Sequence, residues 1–161
     1  MIVTLRQEAP DGSDEPFIKH LLLETISTQL GAGAWPDSLR ETLLAQQCAI
    51  RLQSRRGAFA QGRGRIIQID GEDAGWLYLA DGPDEIRIVD IVVEQARSGQ
   101  GAGTAVIRGI LADAEAIGKA VRLSVNVMNV GAARLYHRLG FNRTGGDTVQ
   151  HFLEWRSGGR K

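Results

Sequence analysis

The sequence predicts a single α/β domain of the α+β type over residues 1–161, with a mixed sheet of six to seven strands and about four helices. Apolar, β-branched runs separated by turn sequences fill residues 65–93, which is typical of an antiparallel meander. After Val93, the apolar residues recur at helical spacing, and helical and strand segments then alternate. A chain of 161 residues is the usual size of one domain with its own core.

The predicted elements follow from these patterns in chain order. They are a strand over Met1–Glu8, helices over Pro16–Leu30 and from Pro36 to about Ile50, strands over Arg65–Asp70, Ala74–Ala80 and Glu85–Val93, a helix that ends at Gly118, a strand over Val121–Val127, a helix over Asn129–Leu139, and strands over Phe141–Arg143 and Gln150–Trp155.

Helix signals define the first sixty residues. Asp14 or Ser13 is the expected N-cap of the first helix, and Pro36 suits the first turn of the second. The second helix is expected to bury a leucine stripe formed by Leu39, Leu43 and Leu44. Residues 54–64 are rich in Arg, Gly and Gln and predict a loop, in which Arg55-Arg56 and Arg63/Arg65 would be solvated.

Turn residues divide the meander that follows. Gly71-Glu72-Asp73 and Asp81-Gly82-Pro83-Asp84 are the expected turns. The helix before Gly118 has a regular apolar face, which comprises Val106, Ile107, Ile110, Leu111, Ala114 and Ile117. Beyond Trp155, residues from Ser157 onward form a polar tail that is expected to fray.

The composition argues against several classes of function. Lys and Arg balance Asp and Glu at 19 each, whereas a nucleic-acid binder usually carries a basic excess. No apolar stretch approaches the roughly twenty residues of a membrane span, and the N-terminus lacks a secretory signal, so we expect a cytoplasmic protein. The lone Cys48 cannot form an internal disulfide, and the three histidines are scattered, so no metal site is expected.

A glycine-rich loop, Ser98–Thr104, lies between a predicted strand and a predicted helix. Its glycines lack the Cβ atoms that would block a close ligand, and they let successive N–H groups point into one concavity. The helix N-terminus adds unpaired N–H donors and a partial positive charge. The loop therefore fits either a phosphate cradle or a tight strand-to-helix turn.

Two other nucleotide-binding motifs fail on spacing. The Rossmann fingerprint needs glycines at its first, third and sixth positions, but counting from Gly99 gives Thr104 at the sixth, and counting from Gly101 gives Val106. The P-loop needs a lysine, which this segment lacks. Both spacings therefore disfavour a nucleotide-binding protein of another fold.

The loop resembles motif A of the GNAT (Gcn5-related N-acetyltransferase) superfamily, Gln/Arg-x-x-Gly-x-Gly/Ala. Gly101 and Gly103 match, whereas Ser98 stands where the family has Gln or Arg, and the neighbouring Arg97 is a candidate to supply the missing charge. The resemblance implies that backbone N–H groups hold the pyrophosphate of coenzyme A. The implied cofactor-binding residues are Ser98, Gly99, Gln100, Gly101, Ala102, Gly103 and Thr104.

The segment Asn129–Phe141 has the features of a well-capped helix. Asn129 suits the N-cap, Gly140 suits the left-handed position after the helix, and Phe141 suits the apolar contact that follows it. The expected buried stripe comprises Ala132, Leu135 and Leu139.

The same segment resembles motif B of the superfamily in its Asn, its pair of small residues, its Leu-Tyr and its Leu-Gly-Phe. The resemblance implies that Asn129 and Ala132 contact the coenzyme. It also implies that Tyr136 hydrogen-bonds the coenzyme sulfur and protonates the departing thiolate, whereas the residues alone equally allow a surface tyrosine. The two motifs stand in the family's order, separated by one helix and one strand.

The family's fourth strand pairs with the pantetheine arm through backbone groups, and the resemblance places Ile91, Val92 and Val93 at that position. Asp90 interrupts this strand, on a face that alternation assigns also to Ile88 and Val92. A carboxylate on an apolar face needs a partner such as an arginine; alternatively, it acts as a general base that removes a proton from the amine, directly or through water.

The base of the histone-type members is a glutamate earlier on this strand. The corresponding position in this sequence is Arg87, so the role of that glutamate does not carry over to this chain. Glu85 and Glu94 are the lesser candidates. Asp90 and Tyr136 are therefore the expected catalytic residues.

The resemblance implies a GNAT fold and an N-acyltransferase that moves an acetyl group from acetyl-CoA, its co-substrate, to a primary amine by direct attack. The alternative is a non-catalytic acyl-CoA sensor of the same fold, which the departure at Ser98 favours and the retained Tyr136 disfavours. The expected partner is a small-molecule or peptide amine. A homodimer stays open, and neither nucleic acid, membrane nor metal is expected.

Overall fold

The computed structural model describes residues 1–59 and 61–158, so the tail prediction for 159–161 lies outside the described residues. The strands are β1 (Val3–Gln7), β2 (Arg63–Ile69), β3 (Glu72–Asp81), β4 (Glu85–Val93), β5 (Ala120–Asn126), β6 (Asn142–Gly146) and β7 (Gln150–Trp155). The helices are α1 (Glu15–Leu30), α2 (Asp37–Ala58), α3 (Ala102–Ile117) and α4 (Val130–Arg138).

The seven strands form one sheet in the order β1-β2-β3-β4-β5-β7-β6. All neighbouring strands are antiparallel except β4 and β5, which are parallel and are connected through α3. This mixed, mostly antiparallel sheet with four helices confirms the predicted fold class.

Helices cover both faces of the sheet. On one face, α1 and α2 bury apolar residues such as Leu22 and Leu52 against Trp76 of β3. On the other face, α3 packs residues such as Ile107 against Leu123 of β5. The helices therefore shield both faces of the central strands from water, which accounts for the apolar runs in these strands. Among the helices that the structure describes, none is long and apolar enough to cross a membrane.

The parallel junction between β4 and β5 is short. Pairing is confined to Glu85–Arg87 on β4 and Ala120–Arg122 on β5, although both strands continue well beyond these residues. Val89 is an extra residue in β4, because Tyr78 of β3 pairs with Asp90 and the next β3 residue pairs with Ile88. A bulge bends and twists its strand locally, so β4 parts from β5 from this point onward.

The bulge also overturns one prediction about side-chain directions. Asp90 was expected to share a face with Ile88, but Ile88 packs in the core beside α3, whereas Asp90 bonds to Arg51 of α2. The extra residue at Val89 shifts the alternation by one, so Asp90 and Val92 point towards the α1/α2 face. The sequence alone carries no marker for this shift.

Helix α2 is longer than predicted and buries a different stripe. It runs to Ala58 rather than Ile50, and β2 begins at Arg63, so the predicted loop over residues 54–64 is wrong for 54–58 and 63–64 and is confirmed for the described residues 59, 61 and 62. Leu39 is 54% exposed and Leu43 is 39% exposed. The buried residues are instead Leu44, Cys48 and Leu52, which recur every four residues and face the core.

Three smaller expectations also need correction. Asp14 occupies the N-cap of α1 but makes no capping bond, because its carboxylate binds Arg6 at 2.7 Å. Ile117 lies in the last turn of α3 and is 60% exposed rather than buried. The first hairpin turn is formed by Asp70 and Gly71, so β3 already begins at Glu72.

Candidate active site

The parting of β4 and β5 places two helix N-termini at one edge of the sheet. Beyond Val93, the chain enters the glycine loop and then α3, and β5 leads directly into α4. In open α/β sheets, ligands bind beyond the carboxyl ends of neighbouring parallel strands that diverge in this way. The opened strands, the glycine loop and the start of α4 are therefore the elements that build the site.

The glycine loop presents a set of unpaired donors. Gly101 caps α3 with a φ of 90°, in the left-handed region that favours glycine. Within the described chain, none of the backbone N–H groups from Gly99 to Thr104 has a hydrogen-bond partner. A Cβ added at Gly101 or Gly103 would meet no atom within 4 Å. Unpaired N–H groups at a helix N-terminus, with open space at its glycines, suit a phosphate group.

Two side chains beside this loop are engaged elsewhere. The Ser98 hydroxyl donates to the carbonyl of Gln95 at 2.9 Å. Arg97 forms ion pairs with Glu72 and Glu94 and donates to the carbonyl of Ile69. The suggestion that Arg97 supplies charge to a phosphate therefore finds no support, and backbone N–H groups are the donors that the loop offers.

The opened edge of β4 offers a second set of backbone groups. The N–H of Glu94 donates to the β3 carbonyl of Ala74 at 2.8 Å. Peptide directions alternate along a strand, so the N–H groups of Ile91 and Val93 point away from β3, towards the opened edge. Val92 instead buries its side chain against α1 and α2. An extended chain of amides could take the place of a neighbouring strand at this edge.

Helix α4 begins and ends as predicted. The Asn129 side chain accepts a hydrogen bond from the N–H of Ala132 at 3.2 Å, and Gly140 has a φ of 96°. The N–H of Phe141 donates to the carbonyl of Tyr136 at 3.0 Å, which closes the C-terminal capping motif. These bonds confirm the capping roles of Asn129 and Gly140 and fix the rotation of the helix.

This rotation buries Tyr136 beside the opened strands. The side chain is 8% exposed, packs edge-on against Phe141 with ring centroids 5.4 Å apart, and lines a cavity of about 260 Å³ between β4 and β5. Burial, and to a smaller extent the charge of Asp90, raises the pKa of Tyr136 to about 12. Its phenol is therefore protonated at neutral pH and faces the cavity as a proton donor.

Asp90 lines the same cavity and has an arginine partner. Its two carboxylate oxygens accept hydrogen bonds from Arg51 at 2.9 and 2.7 Å, and the Nε atom of Arg55 lies 3.6 Å away. This geometry is the structural alternative that the sequence left open. Proton uptake by Asp90 as a general base would remove the charge that strengthens these bonds, and that role stays a prediction.

The lesser base candidates are also paired. Glu85 forms an ion pair with Arg122, and Glu94 forms one with Arg97. Within the described residues, no group of three or more metal-ligating side chains is placed to hold a metal ion.

One group of residues in the site was not predicted. Arg51, Arg55 and Phe59 lie four residues apart along the end of α2, and Arg55 and Phe59 line a second cavity of about 310 Å³ next to the first. Arg87 of β4 lies over the Phe59 ring at 5.6 Å and completes this wall. The signal was the four-residue spacing, which continues the helical period past Ile50.

Comparison with protein families gives one match. The model of the acetyltransferase (GNAT) family matches residues 21–141, which include the glycine loop, all of α4 and its capping residues. No curated protein sequence matches the chain closely enough to count as a relative.

Solved structures share the fold at low sequence identity. They include the PaiA N-acetyltransferase from Thermoplasma acidophilum in complex with coenzyme A, at a TM-score of 0.71 and 14% identity, with 97% of this chain and 99% of that chain covered. A SpeG spermidine N-acetyltransferase chimera from Vibrio cholerae aligns at 0.67 and 16% identity, covering 98% and 97%. A ribosomal-protein-alanine N-acetyltransferase from Escherichia coli aligns at 0.66 and 20% identity, covering 96% and 94%. At these levels of sequence identity, the similarity to each structure shows a shared fold.

Proposed function

The chain belongs to the GNAT acetyltransferase family, and on that premise we propose that it transfers an acetyl group from acetyl-CoA to a primary amine by direct attack. The observation that carries the proposal is the cavity between β4 and β5, which has the protonated phenol of Tyr136 in its wall. The coenzyme A complex of the Thermoplasma acidophilum neighbour supports the choice of coenzyme.

We place the coenzyme along the opened edge of β4. The N–H groups of Gly99–Thr104 would hold its diphosphate, and backbone groups of Ile91–Val93 would pair with its pantetheine arm. The start of α4, with Asn129 and Ala132, would border the arm on the β5 side. This arrangement brings the thioester between the two strands, within the cavity that Tyr136 lines.

The proposed reaction proceeds without a covalent enzyme intermediate. The lone pair of the neutral amine attacks the thioester carbonyl, and backbone N–H groups of β4 stabilise the developing oxyanion. The C–S bond then breaks, the electron pair passes to sulfur, and Tyr136 donates its proton to the thiolate. The ammonium formed by the attack loses a proton, which restores the phenol through solvent.

Thiol release is the direct test of this function. Incubation with acetyl-CoA and a panel of primary amines should release free coenzyme A and give an N-acetylated product visible by mass spectrometry. Stoichiometric coenzyme binding without thiol release for any amine would instead support the sensor alternative. A homodimer and a cytoplasmic location stay predictions beside this proposal.

Replacing Gly103 with valine should lower coenzyme affinity about tenfold or more. The new side chain meets no protein atom within 4 Å, so it enters the space assigned to the diphosphate while leaving the fold intact. Calorimetric titration with coenzyme A measures the change. Gly103 suits this test better than Gly101, because the left-handed φ of Gly101 would add backbone strain.

Gly109→Val is the matched control for this substitution. Gly109 lies in the same helix, and a Cβ there also meets no atom within 4 Å, so the two variants share the helix-propensity cost. We expect the control to bind coenzyme A like the wild type. Equal affinity of both variants would mean that the loop does not contact the diphosphate.

A further inference from the structure

The two neighbouring cavities beside Tyr136 and Phe59 are lined by more positive than negative charge. The cavity that contains Tyr136 and the cavity beneath Phe59 share lining residues, so they form one cleft; the shared residues are Arg55, Ile88, Val89, Ser124 and Asn126. Three arginines line this cleft: Arg51, Arg55 and Arg87. Among its described lining residues, Asp90 is the only acid.

The hydrogen bonds show which of these charges are neutralised. Asp90 accepts both of its arginine hydrogen bonds from Arg51. Arg87 donates to the Ser124 hydroxyl at 3.1 Å and has no carboxylate partner within the part of the chain that the structure describes. Arg55 shares Asp90 with Arg51 through a weaker contact: its buried Nε atom lies 3.6 Å from the Asp90 carboxylate and has no hydrogen-bond partner among the described residues. One carboxylate therefore faces three guanidinium groups, which leaves an excess of positive charge in the cleft.

An excess of positive charge in a partly desolvated cleft favours an anion. The terminal N–H groups of Arg55 and Arg87 are donors that a carboxylate would bind through charge-assisted hydrogen bonds. A second cation in the same cleft would be repelled, and this repulsion is stronger than in bulk water. The cleft therefore disfavours polyamines.

We propose that the acceptor is a small primary amine that also carries a carboxylate, of the amino-acid class, and that Arg55 and Arg87 bind this carboxylate. The inference rests on the proposed acetyl transfer, because it assigns the acceptor end of the same site. The carboxylate would lie beside Phe59 and Val89, and the amine would point along the cleft to the thioester near Tyr136. Arg55 and Arg87 are then specificity-determining residues.

Matched pairs of acceptors provide the test. Thiol release is compared for amino acids and for their carboxamides, such as alanine with alaninamide and glutamate with its diamide, and also for spermidine. We expect kcat/KM to be at least tenfold higher for the acids. Thiol release that is faster with carboxamides or with spermidine would overturn the inference and leave the proposed acetyl transfer in place.

Arg55→Gln should raise the KM for acid acceptors about 10–100-fold more than it raises the KM for the matching carboxamides. Arg40→Gln is the matched control, because Arg40 lies at the other end of α2 and pairs with Asp37. An unchanged KM in Arg55→Gln would remove Arg55 from the acceptor site.

Binding gives a readout that does not require turnover. Each acid and its carboxamide are titrated into the coenzyme A complex by calorimetry, and we expect the acid to bind at least tenfold more tightly. Equal affinities would overturn the inference. The absence of thiol release with every amine, together with selective binding of acids, would contradict the acetyl transfer alone.

Discussion

Replacing Tyr136 with phenylalanine should lower turnover by about 10²–10⁴-fold, which is the usual contribution of a general acid. The ring keeps its contact with Phe141 and its place in the core, and only the proton donor is lost. Coenzyme affinity and thermal stability should therefore stay close to those of the wild type. Steady-state kinetics and coenzyme titration on one acceptor measure the two effects separately.

The pH dependence of turnover gives a second test of this role of Tyr136. Because the pKa of Tyr136 is raised to about 12, the phenol stays protonated throughout the range in which amine acceptors titrate. The wild-type enzyme should therefore show no loss of turnover from tyrosine ionisation below about pH 11. Phe152→Leu changes an exposed aromatic residue on β7 and serves as a control. Equal turnover in the wild type and Tyr136→Phe would mean that Tyr136 is a packing residue only.

Replacing Asp90 with asparagine should lower the free energy of unfolding by about 3 kcal/mol, because it leaves the charge of Arg51 without its partner in a largely buried position. The Arg51 side chain is 20% exposed and that of Asp90 is 5% exposed, so water compensates the lost charge poorly. Chemical denaturation measures the change. Turnover is measured in the same samples, because Asp90 lines the cavity of Tyr136.

A double variant separates the two roles of Asp90. Arg51→Met with Asp90→Leu removes both charges of the closer pair and should recover much of the lost stability, because the remaining Arg55 side chain is 41% exposed and reaches water. Asp37→Asn, which breaks an exposed ion pair on the same helix, should cost less than about 1 kcal/mol. Full stability of Asp90→Asn with turnover abolished would favour the general-base hypothesis instead.

The sequence predicted best where local rules and packing agree. The strand Glu85–Val93 has the predicted bounds, because its β-branched run is bordered by turn residues on one side and a glycine loop on the other. The ends of α4 follow from Asn129 and Gly140, whose side-chain chemistry and backbone freedom act within a few residues. Both elements belong to the proposed coenzyme site.

Prediction failed where the deciding contacts are distant along the chain. The last two turns of α2 look polar and loop-like, but Arg56 is bound there by Glu8 and Glu15, and Arg51 by Asp90. The bulge at Val89 also has no local marker, because β4 contains no glycine or proline and a charged residue such as Asp90 does not by itself indicate a bulge. For this reason the sequence did not predict the site residues Arg51, Arg55 and Phe59, although it located the residues that are proposed to bind the coenzyme.

The short β4–β5 junction bears on how cooperatively the protein unfolds. Three residue pairs couple the hairpin-built half of the sheet, β1–β4, to the half formed by β5–β7, so sheet hydrogen bonds alone couple the halves weakly. Helix α3 contacts β1, β4 and β5 and therefore provides a second link between the two halves, beside the direct contact of β4 with β5. The glycine loop forms the start of this helix. A ligand bound there would therefore stabilise an element that contacts both halves of the sheet, and would raise the stability of both halves against unfolding.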